Sequence, residues 1–231
     1  HEAAPADTLY VVQAGSFKLV KTAEDGYEHV PGFVWRGDLI GYDGLGDARY
    51  AFAAVALEDS RVVAIPFAAL ADLRRRARVL DSALQVLVAR QIAHAGDAAE
   101  VMAAVSAEVR LARFLLRLSA RMAARGQSQR RLLLRMNRRD IANHLGLAHE
   151  TISRSLRMLV DEGCLHVDNR DVEILDIERL KQCARNTRGT AAEALQPVRA
   201  AFVVRDNLRQ RRAIERSYIH ALEDARTRID I

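Results

Sequence analysis

The sequence predicts an α+β fold in three parts: a small antiparallel β-barrel, one long helix and a winged helix-turn-helix. Three observations carry this. Apolar stretches punctuated by turns fill residues 1–76, a seam of three- and four-residue steps runs through 77–106, and two short helices meeting at a glycine precede a hairpin within 107–185. Residues 186–231 form an Arg-rich extension with no assigned role.

In the first part, Leu9-Tyr-Val-Val-Gln, Ser16-Phe-Lys-Leu-Val-Lys and Glu28-His-Val-Pro-Gly-Phe-Val read as strands, separated by turns at Ala14-Gly15 and Glu24-Asp25-Gly26. Further strand-like segments lie within residues 51–65, and the start at His1 reads as a barrel lacking its first strands. The glycines of residues 37–50 do not fit a phosphate-cradling GxGxxG, so this loop is either a surface that meets a partner or a plain barrel turn.

Over residues 80–109, Leu84, Leu87, Gln91, Ala98, Val101 and Val105 follow a coiled-coil-like spacing. Small residues, Ala95 and Ala98 among them, allow two backbones to approach. One helix packed on its own barrel would show the same spacing, but a helix this long has apolar surface left over, so the expected dimer seam is Leu84, Leu87, Gln91, Ala95 and Ala98.

The most informative segment runs from Met136 to Leu159. Ile141, Ala142 and Leu145 recur at helical intervals, Asn137 is placed to cap with Asp140 at the third helical position, and Gly146 supplies a left-handed stop. A second helix over residues 149–162 puts Ile152, Leu156, Leu159 and Val160 on one face and Glu150, Ser153, Arg154 and Arg157 on the other. Two short apolar strands around Asp168-Asn169-Arg170-Asp171 then form the wing. A polar helix face next to a wing is built for a major groove.

Charge agrees. The 231-residue chain has net charge +5, but residues 1–109 carry 10 Lys+Arg against 15 Asp+Glu, whereas residues 110–185 carry 16 against 9. The basic part is the part expected to touch phosphates. No apolar run is long enough to span a bilayer, and the mean hydropathy is −0.10. No catalytic constellation is present. His144 and His149 do not share a helix face, and Cys164 at the wing and Cys183 near the domain's end read as reduced structural residues, so no metal site is expected.

With Glu150-Thr151-Ile152-Ser153-Arg154 on the second helix, residues 9–184 resemble the CRP/FNR family of bacterial transcription regulators, and its FNR-like branch more closely. The resemblance implies that the barrel is a cyclic-nucleotide-binding-type β-roll, that the long helix is a dimerisation helix, and that a homodimer reads a palindrome resembling TTGAT…ATCAA. Arg154 would bond guanine O6 and N7, Glu150 would accept from the cytosine amino group, and Ser153 would lie near thymine. Arg138, His149, Thr151, Arg157 and Arg170 are expected on the DNA backbone, and Gly41, Tyr42, Asp43 and Gly44 against RNA polymerase. Family members commonly have Ser or Thr entering the reading helix; Ala148 stands there instead, at a cost of roughly 1 kcal/mol.

Two family cofactors are not expected. Cyclic-nucleotide binders present a Glu and an Arg followed by Ser or Thr, where this chain has Tyr42 and Arg49-Tyr50. Cluster-bearing relatives place a cysteine before Ile-Pro-Phe, where Val63-Ala64-Ile65-Pro66-Phe67 has Ala64, so no conventional iron–sulfur cluster and no response of DNA binding to air are expected. No cofactor is predicted. The resemblance implies a cytoplasmic regulator with double-stranded DNA, RNA polymerase and a second copy of itself as partners, and no membrane. Two alternatives stay open: a regulator gated by haem or another small molecule in the roll, and an interaction module that no longer binds DNA.

Overall fold

The first strands are buried on both faces, Leu9 and Val11 of the first in one apolar cluster and Val12 in another. In β1 (Thr8–Ala14) Leu9, Val11 and Val12 are buried, β2 (Ser16–Thr22) buries Leu19 and Val20, and β3 (Glu28–Trp35) buries Val30, Phe33 and Val34. β4 (Leu39–Ile40), a short helix α1 (Gly44–Asp47), β5 (Ala53–Ala56) and β6 (Arg61–Pro66) complete two antiparallel sheets, ordered β4-β1-β6 and β3-β2-β5. The computed structural model describes residues 1–185 apart from Ala77, Ala103 and Val105, so the extension of residues 186–231 lies outside the described residues.

Register keeps like side chains together: Leu9 faces Ile65 and Val11 faces Val63 across β1 and β6. The β1–β2 turn is set by Gly15, whose φ of 83° is left-handed and whose missing Cβ leaves room for Ser60.

Two helices close the barrel. Phe67 and Leu70 of α2 (Phe67–Arg76) and Leu84, Leu87 and Val88 of α3 (Arg78–Met102) pack on the cluster of Leu9, Val11 and Leu39. Gln91, also buried, donates from Nε2 to the Leu39 carbonyl at 3.1 Å. Leu84, Leu87 and Gln91 of the expected seam thus meet the chain's own roll. The roll takes one side of the apolar stripe and leaves Leu84 and Leu87 half-buried. The exposed face of α3 instead carries Val86, Ala89, Ile92 and Ala93; Ala95 and Ala98 lie within α3, and Val101 belongs to the core beyond it. Nor is the helix continuous to residue 109. It ends at Met102, and Ser106 starts α4 (Ala107–Ala124) by accepting from the Val109 N–H at 3.3 Å.

The third part packs around α4, which buries Leu111, Ala112, Leu115 and Leu118 against Ile141, Leu145, Ile152, Leu159 and Leu180. α5 (Arg138–Leu145) and α6 (His149–Asp161) are the two short helices, and β8 (Leu165–Asp168) and β9 (Asp171–Ile174) are the wing. The hairpin is joined on its β9 side by β7 (Arg131–Leu133), a strand too short to stand out in the sequence, giving the order β7-β9-β8. α7 (Ile177–Arg185) closes the domain against α4 with Leu180 and Ala184.

The two left-handed glycines of the first hairpins separate strain from packing. Gly26 has φ 81° with open space around it, whereas Gly15 has a similar φ and Ser60 against it. Gly26→Ala is expected to cost about 1 kcal/mol from the backbone alone, and Gly15→Ala clearly more. Urea unfolding midpoints of the two variants check this; equal losses would remove the packing account of Gly15.

Candidate nucleic-acid interface

The reading unit is positioned by an N-terminal lock on α5. Asn137 Oδ1 accepts from the Asp140 N–H at 2.8 Å, and Asp140 Oδ2 accepts from the Asn137 N–H at 3.0 Å, so both partners of a capping box are made. The other Asp140 oxygen takes a 2.7 Å bond from Lys18 Nζ on β2, and the carboxylate is buried. At the far end Gly146, φ 61°, ends the helix and the Leu147 N–H returns to the Ala142 carbonyl.

α6 then begins without side-chain help. Ala148 makes no cap bond, although its carbonyl receives the Thr151 and Ile152 N–H groups. Ile152, Ser155, Leu156 and Leu159 are buried, and Val160 is half-buried. Opposite them Glu150, Ser153, Arg154 and Arg157 are exposed on one face. Their internal contacts are loose: His149 Nδ1 lies 3.0 Å from Glu150 Oε1, Arg154 Nη2 lies 3.4 Å from Thr151 Oγ1, and Ser153 Oγ lies 3.5 Å from the His149 carbonyl. Contacts of this kind exchange readily for bonds to base edges.

The expected backbone contacts divide. His149, Arg157 and Arg170 are exposed, Arg170 at the wing tip, and Thr151 is half-exposed at the start of α6. Arg138 differs: its Nη2 donates to the Asn169 carbonyl at 2.7 Å, and burial pushes its guanidinium below the usual range. It fastens the wing turn to α5. The neighbouring Arg139 is the exposed cation at that helix start, a placement that depends on helix phase.

The loop expected against RNA polymerase is also corrected. Gly41 and Gly44 are buried, Tyr42 packs into the roll core, and Asp43 accepts from the Ala51 N–H at 2.6 Å. These residues hold the loop, because Cβ atoms at Gly41 and Gly44 would run into the Tyr50 ring and Ala6. The outward surface is residues 45–49. Arg49 there bonds the Ala3 carbonyl, and Tyr50 bonds the Thr8 backbone through its hydroxyl.

The roll and the reading domain are bound to each other. Beside Lys18–Asp140, Asp38 takes 2.8 and 3.0 Å bonds from Arg121 and Arg125 of α4, and Arg121 stacks 4.5 Å from the Trp35 ring centre. His144 of α5 points Nδ1 at the Val30 carbonyl, 2.9 Å away, with its ring edge-on to Phe33 and Phe114. Between the parts lies a mostly apolar cleft of about 440 Å³, lined by Phe33, Trp35, Phe52, Gln91 and His144 with Arg117 and Arg121 at its wall. Among the described residues no helix is long and apolar enough to cross a membrane.

A β-roll followed by a winged helix-turn-helix with a free polar reading face defines a DNA-binding transcription regulator. Residues 1–77 match the cyclic nucleotide-binding domain, and residues 109–183 match the Crp-like helix-turn-helix domain. The fumarate and nitrate reduction regulatory protein of Escherichia coli (strain K12) is 38% identical over 184 residues, covering 80% of this chain and 74% of that protein. The transcriptional regulatory protein btr of Bordetella pertussis is 35% identical over 178 residues, 77% and 74% of the two chains. Among solved structures, FixK2 from Bradyrhizobium japonicum superposes with a TM-score of 0.69 at 29% identity, covering 83% of this chain and 92% of that one. A CRP-family transcriptional regulator from Thermus thermophilus, at 22% identity and a TM-score of 0.61 over 82% of this chain and 94% of that one, shares the fold. The chain belongs to the CRP/FNR family, whose members are transcription regulators and not enzymes.

His144 makes the contact between the parts pH-dependent. Burial, with His29 nearby, lowers its pKa despite the Val30 bond, so the folded protein binds fewer protons there than the unfolded chain. The stability it contributes is complete above the unfolded value of about 6.5 and is lost as pH falls toward the lower folded value. His144→Gln keeps a donor without the titration. The wild-type melting temperature should therefore fall more than that of the variant between about pH 7 and pH 5; parallel curves would exclude His144 as the source.

Proposed function

We propose that the protein acts as a homodimer on an FNR-type palindrome resembling TTGAT…ATCAA, with Glu150 and Arg154 reading the G·C pair of each half-site and Ser153 beside a thymine. The observation that carries this is the exposed face of Glu150, Ser153 and Arg154 on a helix whose other face is anchored by Ile152, Leu156 and Leu159. Arg139, His149, Thr151, Arg157 and Arg170 flank it toward the phosphates. The 38% identity to the fumarate and nitrate reduction regulator supports the choice of site. An interaction module without DNA binding would have no use for three intact base readers.

The protein works without a conventional iron–sulfur cluster, since exposed Ala64 on β6 offers no thiolate where cluster-bearing relatives have one. RNA polymerase would meet residues 45–49, the outward part of the glycine loop. A second reading, gating by haem or another small molecule, is favoured by the cleft between roll and α4, which offers aromatic walls and two arginines. On this reading the effector would sit at the junction of roll and reader rather than inside the roll.

Base reading is tested by competition binding against a half-site whose G·C pair is changed to A·T. Arg154→Ala and Glu150→Ala should each lose about 1–3 kcal/mol of discrimination at that pair; variants that discriminate as well as the parent would show the helix to be misplaced in the groove.

Pairing is tested on the exposed face of α3. Ile92, 67% exposed in the single chain, sits beside Ala89 and Ala93, so Ile92→Glu should convert a micromolar dimer to a monomer in sedimentation without unfolding the roll. A variant that sediments like the parent would move the interface elsewhere.

A further inference from the structure

Two cysteines that sit 19 residues apart in sequence meet at the base of the wing. α6 ends at Asp161, where the Glu162 N–H bonds the Met158 carbonyl and the Gly163 N–H the Val160 carbonyl. Gly163, at φ 70°, reverses the chain and turns Cys164 inward beneath the wing, where its N–H bonds the Leu159 carbonyl at 3.0 Å and its side chain is fully buried. Cys183, half-buried, arrives from α7. Its Sγ lies 3.6 Å from Cys164 Sγ and donates to Glu162 Oε2 at 3.1 Å, and both cysteines are free thiols.

We propose that Cys164, Cys183 and Glu162 form a binding site for a thiophilic divalent cation, zinc in the first instance, with water in the fourth position. The three ligand atoms all lie within 4.8 Å of one another. A tetrahedral zinc with sulfur at about 2.3 Å and oxygen at about 2.0 Å requires S···S of about 3.8 Å and S···O of about 3.5 Å; the S···S spacing of 3.6 Å and the Cys183 Sγ–Glu162 Oε2 spacing of 3.1 Å are within a few tenths of an ångström of these. Binding exchanges two thiol protons for the ion, leaving two thiolates and one carboxylate around a double positive charge. The resulting net −1 is balanced by Arg179, whose guanidinium lies beside Gly163 at the same corner.

The arrangement suits a metal better than a disulfide. Cys183 Sγ already donates its proton in a hydrogen bond to Glu162 Oε2, 3.1 Å away, so a carboxylate ligand stands beside the two sulfurs. A cation removes that proton by coordination. It would also pin three elements at one point: the end of the reading helix, the first wing strand and α7.

The test uses the full reduced chain and does not depend on which promoter it reads. Titration with zinc should bind one equivalent, release two protons, raise the melting temperature and protect both thiols from alkylation; cadmium should produce thiolate-to-metal charge-transfer absorbance. Cys183→Ser, at a half-buried site that tolerates the change, should abolish the two-thiolate absorbance and weaken zinc by at least ~10-fold, and Glu162→Gln on the surface should keep the absorbance while weakening binding. The proposal is overturned if the reduced protein takes up no zinc, if Cys183→Ser binds zinc as tightly as the parent in a protein that melts cooperatively, or if the thiols form a disulfide in glutathione buffer as fast with zinc as without it.

Discussion

One carboxylate, that of Asp140, decides how the reader sits on the roll. It closes the capping box that starts α5 and at the same time receives Lys18 from β2, with almost no exposure to water. A buried carboxylate is tolerated only when its lone pairs are taken, and here the helix start and the roll each take one oxygen. The start of α5 and the position of the roll are therefore a single arrangement. Lys18→Met would leave a charged Asp140 buried beside a helix start it still has to cap, a loss of the order of 3–5 kcal/mol for a pair broken on one side. Everything that follows in the chain inherits this placement: Gly146, the entry to α6, and the face that carries Glu150 and Arg154.

What was legible in the sequence was local. Asn137 and Asp140 stand three apart, Gly146 stands where a left-handed residue is needed, and the apolar spacing of Ile152, Leu156 and Leu159 fixes which face of α6 is free. Each of these depends on a few neighbours along the chain. β1, β2 and β3 and the turns between them are legible for the same reason.

What was not legible depended on choices between distant surfaces. Leu84, Leu87 and Gln91 have a spacing that serves a second helix or a barrel equally, and only the fold shows that Leu39 and its neighbours claim them. Arg138 and Arg139 are adjacent cations whose roles separate because one reaches the Asn169 carbonyl across the wing. Gly41 and Gly44 look like a loop surface until Tyr50 and Ala6 are found against them. Cys164 and Cys183 carry no motif spacing, yet a helix and a hairpin bring their sulfurs to 3.6 Å.

The contacts between the parts converge on the turn from β3 into β4. Asp38 is held by Arg121 and Arg125 of α4 and accepts from the Trp35 N–H, while the next residue, Leu39, gives its carbonyl to Gln91 of α3. α3 and the first helix of the reading domain thus grip consecutive residues at the entry to one short strand. A displacement of β4 is felt by both at once, since charge-assisted bonds of this kind lose much of their strength with a small misalignment. The cleft opens beside this strand, with Trp35, Gln91 and Arg121 in its wall. A ligand there would touch the same three side chains that tie α3 and α4 to the roll. The geometry therefore gives an effector direct leverage on both helix placement and reader orientation, provided that it favours one position of β4 over another.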